Sequence, residues 1–305
     1  MTSKVSQVSE WINIYKLGAA RKDRLIIFIF VINFLIVIIT LIGIFGKEKG
    51  CGIYLKNTWL SNWIPGKNLM INSNGILLSI PTSIENLSVV KPDYEDTERE
   101  FINSLEITKE GVVIDVGAHI GFYSIFIAKK FPLTKIIAIE ASPPTFKKLE
   151  LNCKLNNVQN IILNNNAVFD QDRKKIELYK GIFSTVEKKF LSDLGYPEDK
   201  VQKITVNSIT IDNLVETEKI DQISLLKIDI DGGEILALRG AMDSLEKKKI
   251  KNIIIEYHFK DAKKYAVDLF KKLGYQLKVH DRFDYIGNEN IVNGHIIASI
   301  DHTKF

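Results

Sequence analysis

Hydrophobic positions along this chain fall into short runs that alternate with helical stretches. The run from Val112 to Val116 is apolar and rich in β-branched residues, with Asp115 inside it; its length fits a buried parallel strand. Gly117 and Gly121 then bracket a tight turn. From Gly121 the pattern becomes helical, with Phe122, Ile125, Phe126 and Ala128 on one side and Lys129-Lys130 at the end. Glycines at such a strand–turn–helix junction let a ligand approach the backbone, and a helix start offers free N–H groups.

The same alternation continues. Lys135 to Glu140 reads as a second strand, Pro143-Pro144 opens a helix through Asn156, and Asn160 to Leu163 reads as a third strand. A charged, turn-rich insertion follows, with strands expected at 175–179 and 204–206. Ile223 to Ile230 is expected to be the fourth strand, with a helix from Gly233 to about Leu245. Lys251 to Tyr257 is expected to be the fifth, with a helix from Asp261 to Leu273 and closing strands at 275–279 and 294–300. Strands and helices in this order predict an α/β, Rossmann-like, doubly wound sheet with helices on both faces.

Upstream the pattern is different. Residues 1–24 are a polar, mixed tail. Leu25 to Phe45 runs about 21 residues without a charge, long enough to cross a bilayer as a helix, and Asn33 and Thr40 are its polar interruptions. A signal peptide has a shorter apolar core and a small-residue cleavage site, so 25–45 is expected to be a single transmembrane helix. Residues 46–90 read as a connector with a strand near Gly75–Ile80. The domain of 91–305 opens with a helix beginning near Pro92, carrying Phe101, Ile102 and Leu105 as its apolar stripe.

Composition adds limits. A net charge of +4 spread along 305 residues is not the concentrated basic face of a nucleic-acid binder. Two cysteines, Cys51 and Cys153, make neither a disulfide framework nor a metal motif.

In open α/β sheets ligands sit beyond the carboxyl ends of the strands, so candidate chemistry is read at the strand tips. The first tip has Asp115, Gly117 and Gly121, with Ala118 and His119 in the turn between. A dinucleotide site wants G-x-G-x-x-G. Here a carboxylate precedes the glycines; it would repel a pyrophosphate and suits an ammonium and a sulfonium, both carried by S-adenosylmethionine (SAM). At the second tip Glu140 can take the two hydroxyls of a ribose, or serve as a plain acid ahead of Pro143. The third tip has Asn164-Asn165-Asn166-Ala167, where an amide can meet an adenine edge, although Asn is also a turn former.

The fourth tip reads Leu226-Lys-Ile-Asp-Ile-Asp-Gly-Gly-Glu234. Lys227, Asp229 and Asp231 alternate as residues on one strand face would. Such acids can act as a base, orient a substrate or hold a divalent metal; Asp231 and Glu234 also fit a helix capping box. His258 ends the fifth strand beside the expected site. His280, His295 and His302 follow no usable pattern.

These residues resemble the FkbM-type methyltransferases, SAM-dependent enzymes of the class I fold. The resemblance rests on Ser88-Val-Val-Lys-Pro-Asp-Tyr-Glu95, Val113 to Ser124, Glu140, Asn166-Ala167, Thr210-Ile-Asp-Asn-Leu214, Leu226 to Glu234 with Gly240-Ala241, and Ile255-Glu-Tyr-His258. His119, Gly233 and Ala141 depart from the family's usual residues. The resemblance implies methylation of a hydroxyl on a small molecule or sugar. Cofactor contacts are expected from Asp115, Gly117, Ala118, His119, Gly121, Glu140, Asn166 and Ala167. Asp229, His258 and Lys227 are the expected catalytic residues, and Asp231 and Glu234 face substrate or metal.

With the anchor, the expected acceptor is a small molecule, a glycan or a lipid-linked sugar. Lys16, Arg21, Lys22 and Arg24 before the span slightly outweigh Lys47, Lys49 and Lys56 after it, which favours a cytoplasmic N-terminus. The cytoplasmic pool of SAM instead places the C-terminal domain inside, and the larger charge asymmetry needed to override it is missing. The competing readings are a tethered, non-catalytic SAM-fold module, a nucleic-acid methyltransferase, which would show Pro and an aromatic after Asp229, and a nicotinamide oxidoreductase, which would show a third glycine.

Overall fold

The computed structural model describes residues 52–54, 68–73, 75–81, 96–180, 184–186, 188, 191, 197–284, 291–301 and 303–304. The tail 1–24, the expected span 25–45, Ser88 to Glu95 and His302 lie outside the described residues. Among the described residues no helix is long and apolar enough to cross a membrane.

The chain forms two compact units. In the first, strands β1 (Gly52–Tyr54) and β2 (Asn68–Ser73) pair antiparallel, Ile53 opposite Ile71. The second takes Ile76–Ile80 together with 93–305. Thus β3 (Ile76–Pro81), expected within the connector, contributes to the large unit through Ile76–Ile80. Its tie is helix Pro143–Leu155 and the residue after it: Asn152 Oδ1 accepts the Ser79 N–H at 2.7 Å, and Asn156 Oδ1 accepts that of Leu77 at 3.0 Å.

The strands that follow are β4 (Val112–Val116), β5 (Lys135–Ile139), β6 (Ile161–Asn164), β7 (Ala167–Val168), β8 (Lys175–Lys180), β9 (Ser184–Thr185), β10 (Gln202–Ile209), β11 (Ile223–Ile228), β12 (Asn252–Phe259), β13 (Gln276–Asp284) and β14 (Ile291–Ser299). A seven-stranded sheet runs β13-β14-β12-β11-β4-β5-β6. β12, β11, β4, β5 and β6 pair parallel, and β14 lies antiparallel between β12 and β13. β4 and β11 are fully buried along their length, as expected of central parallel strands covered on both faces. Chain order reverses between β4 and β11, so the crevice beyond their carboxyl ends is the topological switch point. The insertion 167–209 forms a second sheet, β7-β10-β8-β9, over a small core of Ala167, Ile176, Leu178 and Val206.

Three expectations change. The fourth strand stops at Ile228, and Asp231 lies in the turn that follows rather than on a strand face with Lys227. The fifth strand runs on to Phe259, with a register shift between Tyr257 and Phe259, so His258 sits inside it; such bulges re-aim side chains beside functional sites. The single helix expected from Gly233 to Leu245 is two, Glu234–Arg239 and Met242–Glu246. It breaks at Gly240, whose carbonyl accepts the Asp212 N–H and where an added Cβ would lie 2.1 Å from the Phe169 carbonyl oxygen. Asp212 then caps the second helix through the N–H groups of Asp243 and Ser244.

Candidate active site

The first tip is built by the crossing of two strand ends. Gly117 has a φ of +79°, and a Cβ there would lie 1.8 Å from the Asp229 carbonyl oxygen. At Gly121, φ +95°, it would meet the Leu149 side chain at 2.7 Å. Both glycines therefore serve close packing of the protein on itself. The N–H groups of the turn ahead of the helix are used within the protein: Gly117 and Ala118 donate to the Ile139 carbonyl, each at 2.9 Å, and His119 donates to Glu140 Oε2 at 3.0 Å. With β5 running alongside, buried donors find partners there. The His119 side chain is exposed, and its backbone is left-handed with φ 51°.

Asp115 is wholly buried. Ser124 Oγ donates to its Oδ2 at 2.5 Å, while Oδ1 has no hydrogen-bond partner among the described residues. Burial raises its carboxyl, opposed by Lys227 and by the Ser124 bond. Glu140 accepts one N–H on each oxygen, from His119 and from Ser142 at 2.8 Å. Burial pushes it up to about 7 against those two bonds. Each carboxylate oxygen can accept a second bond. An unpartnered buried oxygen on Asp115 matches an ammonium, and the spare capacity of Glu140 matches ribose hydroxyls. The residues present therefore fit SAM.

The third tip is less open than expected. Asn165 Nδ2 donates to the Glu140 and Ala141 carbonyls, and Asn166 Nδ2 donates to Asn164 Oδ1 at 2.7 Å. Ala167 packs into the small core of the insertion.

Beyond β11, Lys227 Nζ pairs with Asp229 Oδ2 at 2.8 Å and lies 4.7 Å from the centre of the Tyr123 ring. Lys227 is buried, whereas Asp229 is partly exposed. The capping-box alternative is not formed: the helix starts at Glu234 with Gly233 at its cap. Instead Glu234 Oε1 receives the Gly232 N–H and lies 2.7 Å from His258 Nδ1. His258 Nε2 approaches Asp231 Oδ1 at 3.5 Å and Glu256 Oε1 at 3.6 Å. Burial works against charge on this imidazole, but the Glu234 hydrogen bond and the nearby carboxylates prevail and raise it to about 10. Asp231 is pushed up to about 7 by burial, with His258 opposing and Asp229, Glu234 and Glu256 adding to the rise.

Glu256 and His295 were missed from sequence. They are directly opposite each other on β12 and β14, with His295 Nε2 3.0 Å from Glu256 Oε2. His295 Nδ1 is also 2.5 Å from Glu98 Oε1, on helix Asp96–Ser104. Glu256 has a sequence signal, two residues from His258 and thus on the same strand face; His295 gains its partners through strand pairing. The structure thus joins Lys227, Asp229, Asp231, Glu234 and His258 in one constellation. Asp115 is opposite Lys227 in the β4–β11 register.

A parallel sheet in this order, closed by an antiparallel strand and bearing an acid at each of its first two tips, is that of a class I methyltransferase. Residues 115–277, more than half of the 305, match the model of the methyltransferase FkbM domain. The chain belongs to that family of SAM-dependent methyltransferases. It is 24% identical over 163 residues to "Methyltransferase 1" of Beauveria bassiana (strain ARSEF 2860), covering 48% of this chain and 64% of that protein. It is 23% identical over 184 residues to "Methyltransferase sdnD" of Sordaria araneosa, covering 47% and 65%. The chain thus spans less than two thirds of these relatives. A solved structure of precorrin-6y C5,15-methyltransferase from Geobacter metallireducens GS-15 is similar at a TM-score of 0.42 and 14% identity, over 68% of this chain and 88% of that one.

Proposed function

We propose that this protein is a membrane-anchored SAM-dependent methyltransferase that methylates a hydroxyl of a sugar, glycan or lipid-linked acceptor. The observation that carries this reading is the adjacency, across the β4–β11 pairing, of the buried Asp115 carboxylate and the acid–imidazole cluster at Asp229. A cofactor-type tip lies beside groups that handle a proton. The uncharged segment 25–45 supports the anchor, and the cytoplasmic supply of SAM supports placing the catalytic domain on that side.

Bound SAM supplies an activated methyl group. The protein then has to align it with a nucleophile, and alignment is worth much of such a barrier. Asp115 takes the ammonium and Glu140 the ribose hydroxyls. Lys227 holds Asp229 in place at 2.8 Å, while Glu234 holds His258 and His258 in turn orients Asp231. Asp231 receives the acceptor's hydroxyl proton. His258, already carrying a proton, serves to orient rather than to accept. Asp231→Asn should lower kcat about 10²–10⁴-fold, the usual worth of a general base, with SAM affinity retained.

The test is calorimetric titration of the full-length protein in detergent with SAM and S-adenosylhomocysteine, followed by transfer of labelled methyl from SAM to sugar and lipid-linked acceptors. One-to-one binding, weakened in Glu140→Gln, with label appearing on a hydroxyl, supports the enzyme. Binding without transfer to any acceptor class favours a tethered module. A folded protein that binds neither compound sinks the reading.

A further inference from the structure

Asp229, Glu256 and His258 each offer one ligand atom within 4.8 Å of the other two. Glu256 and His258 share a face of β12, and Asp229 follows β11, the parallel neighbour of β12. Each of the three is also held from behind. Lys227 Nζ holds Asp229 Oδ2 at 2.8 Å, and Glu234 Oε1 sits 2.7 Å from His258 Nδ1. Glu256 is held by His295 at 3.0 Å and by Asn293 Nδ2 at 2.7 Å. Metal-binding side chains are fixed this way, the imidazole passing its second N–H to a carboxylate while the other nitrogen faces the metal.

Charge provides an independent sign. Asp229, Asp231, Glu234 and Glu256 gather around His258; Lys227 answers Asp229 at 2.8 Å, and His295 at 3.0 Å and Arg282 at 3.8 Å answer Glu256. Among the described residues, the ion pairs of Asp231 and Glu234 are with His258 alone. Glu234 is 1% exposed, and its Oε2 is buried with no hydrogen-bond partner among the described residues. A buried carboxylate oxygen left unpaired is expensive. A divalent cation that takes the Nε2 position of His258, the Nε2 proton leaving to solvent, adds positive charge that the imidazole alone does not supply.

We propose that Asp229, Glu256 and His258 bind one divalent, oxygen-preferring cation of the Mg²⁺ or Mn²⁺ kind, which holds the acceptor hydroxyl. The proposal deepens the methyltransferase reading and rests on it. Two carboxylates and one imidazole leave coordination positions open for water or substrate, as hard cations of this kind require. Donors at right angles around such a cation, with bonds of about 2.1 Å, stand about 3 Å apart. His258 Nε2 and Glu256 Oε1 stand 3.6 Å apart, near that separation. A hydroxyl bound at the open position is acidified and gives its proton to Asp231. The oxygen's electron pair forms the new O–CH₃ bond as the S–CH₃ bond breaks, and the sulfur keeps the breaking pair as a neutral thioether. No oxidant or reductant is required.

The experiment uses the full-length chain in detergent, stripped with EDTA and dialysed. Mn²⁺ is titrated calorimetrically and followed by electron paramagnetic resonance, and SAM binding is measured on the same preparation. The expected result is one Mn²⁺ per chain, displaced by Mg²⁺, with affinity at least tenfold weaker in Asp229→Asn and in Glu256→Gln. Asp229 is partly exposed, so its variant should fold; SAM binding by each preparation reports that. Wild-type protein that binds SAM but no stoichiometric Mn²⁺ overturns the cation site, as does Mn²⁺ binding unchanged in both variants. A protein that binds Mn²⁺ at these residues but not SAM leaves the cation site standing and overturns the enzyme reading instead.

Discussion

At Glu140, burial and hydrogen bonding pull in opposite directions, and burial prevails, raising the carboxyl to about 7. An unfolded carboxylate of this kind titrates at about 4.3. Between those values the folded chain keeps a proton that the unfolded chain has lost, so stability contributed here falls as pH rises through that window. Ribose hydroxyls need the ionised acceptor. SAM affinity should therefore rise with pH up to about 7 and then level, and Glu140→Gln should abolish that dependence. The variant should bind SAM about 10–100-fold more weakly, since a hydrogen bond to a charged group is worth about 1.5–3 kcal/mol; calorimetry across pH 5.5 to 8 checks both. Gly117 makes a different point. It looked like a ligand-approach glycine, but the space of its missing side chain holds the Asp229 carbonyl. Gly117→Ala should cost more than the ~1–3 kcal/mol of backbone strain alone, measured by denaturant unfolding with and without SAM.

Among the elements, the family string Thr210 to Leu214 joins pieces of the fold. Asp212 caps helix Met242–Glu246, while Asp172 accepts the Thr210 N–H at 2.7 Å and its hydroxyl at 2.9 Å. Asp212→Ala should cost about 0.5–2 kcal/mol, the range of a lost cap, and leave SAM affinity unchanged. Asn152 ties three elements: besides Ser79 it holds the Ile120 carbonyl at 2.7 Å, and it is fully buried. Asn152→Leu leaves a buried donor and a buried acceptor unpaired, about 1–3 kcal/mol each. Unfolding should reveal the loss, and hydrogen exchange at the Ser79 amide should accelerate. Neither tie shows in the sequence, because each joins residues far apart along the chain.

At the scale of the whole molecule, the segment 25–45 is expected to hold the protein in a membrane. Two charges in the apolar segment, Leu35→Arg with Ile38→Arg, should each cost about 2.5–3.5 kcal/mol in the bilayer. Wild type should then resist alkaline extraction from membranes and the double variant should be released; equal extraction of both would count against the anchor.

The alternation of strands and helices, the glycine turn and the acids at the strand tips were legible in the sequence, because period, turn chemistry and residue type are local properties. Sheet order and the family assignment agree with what those patterns imply. Partners were not legible. The glycine-turn N–H groups serve β5, Asp231 left its strand, the helix broke at Gly240, and Glu256 met His295 across β12 and β14. A side chain's hydrogen-bond partner, its burial and therefore its charge depend on what the folded chain brings beside it, and only the tertiary structure decides that.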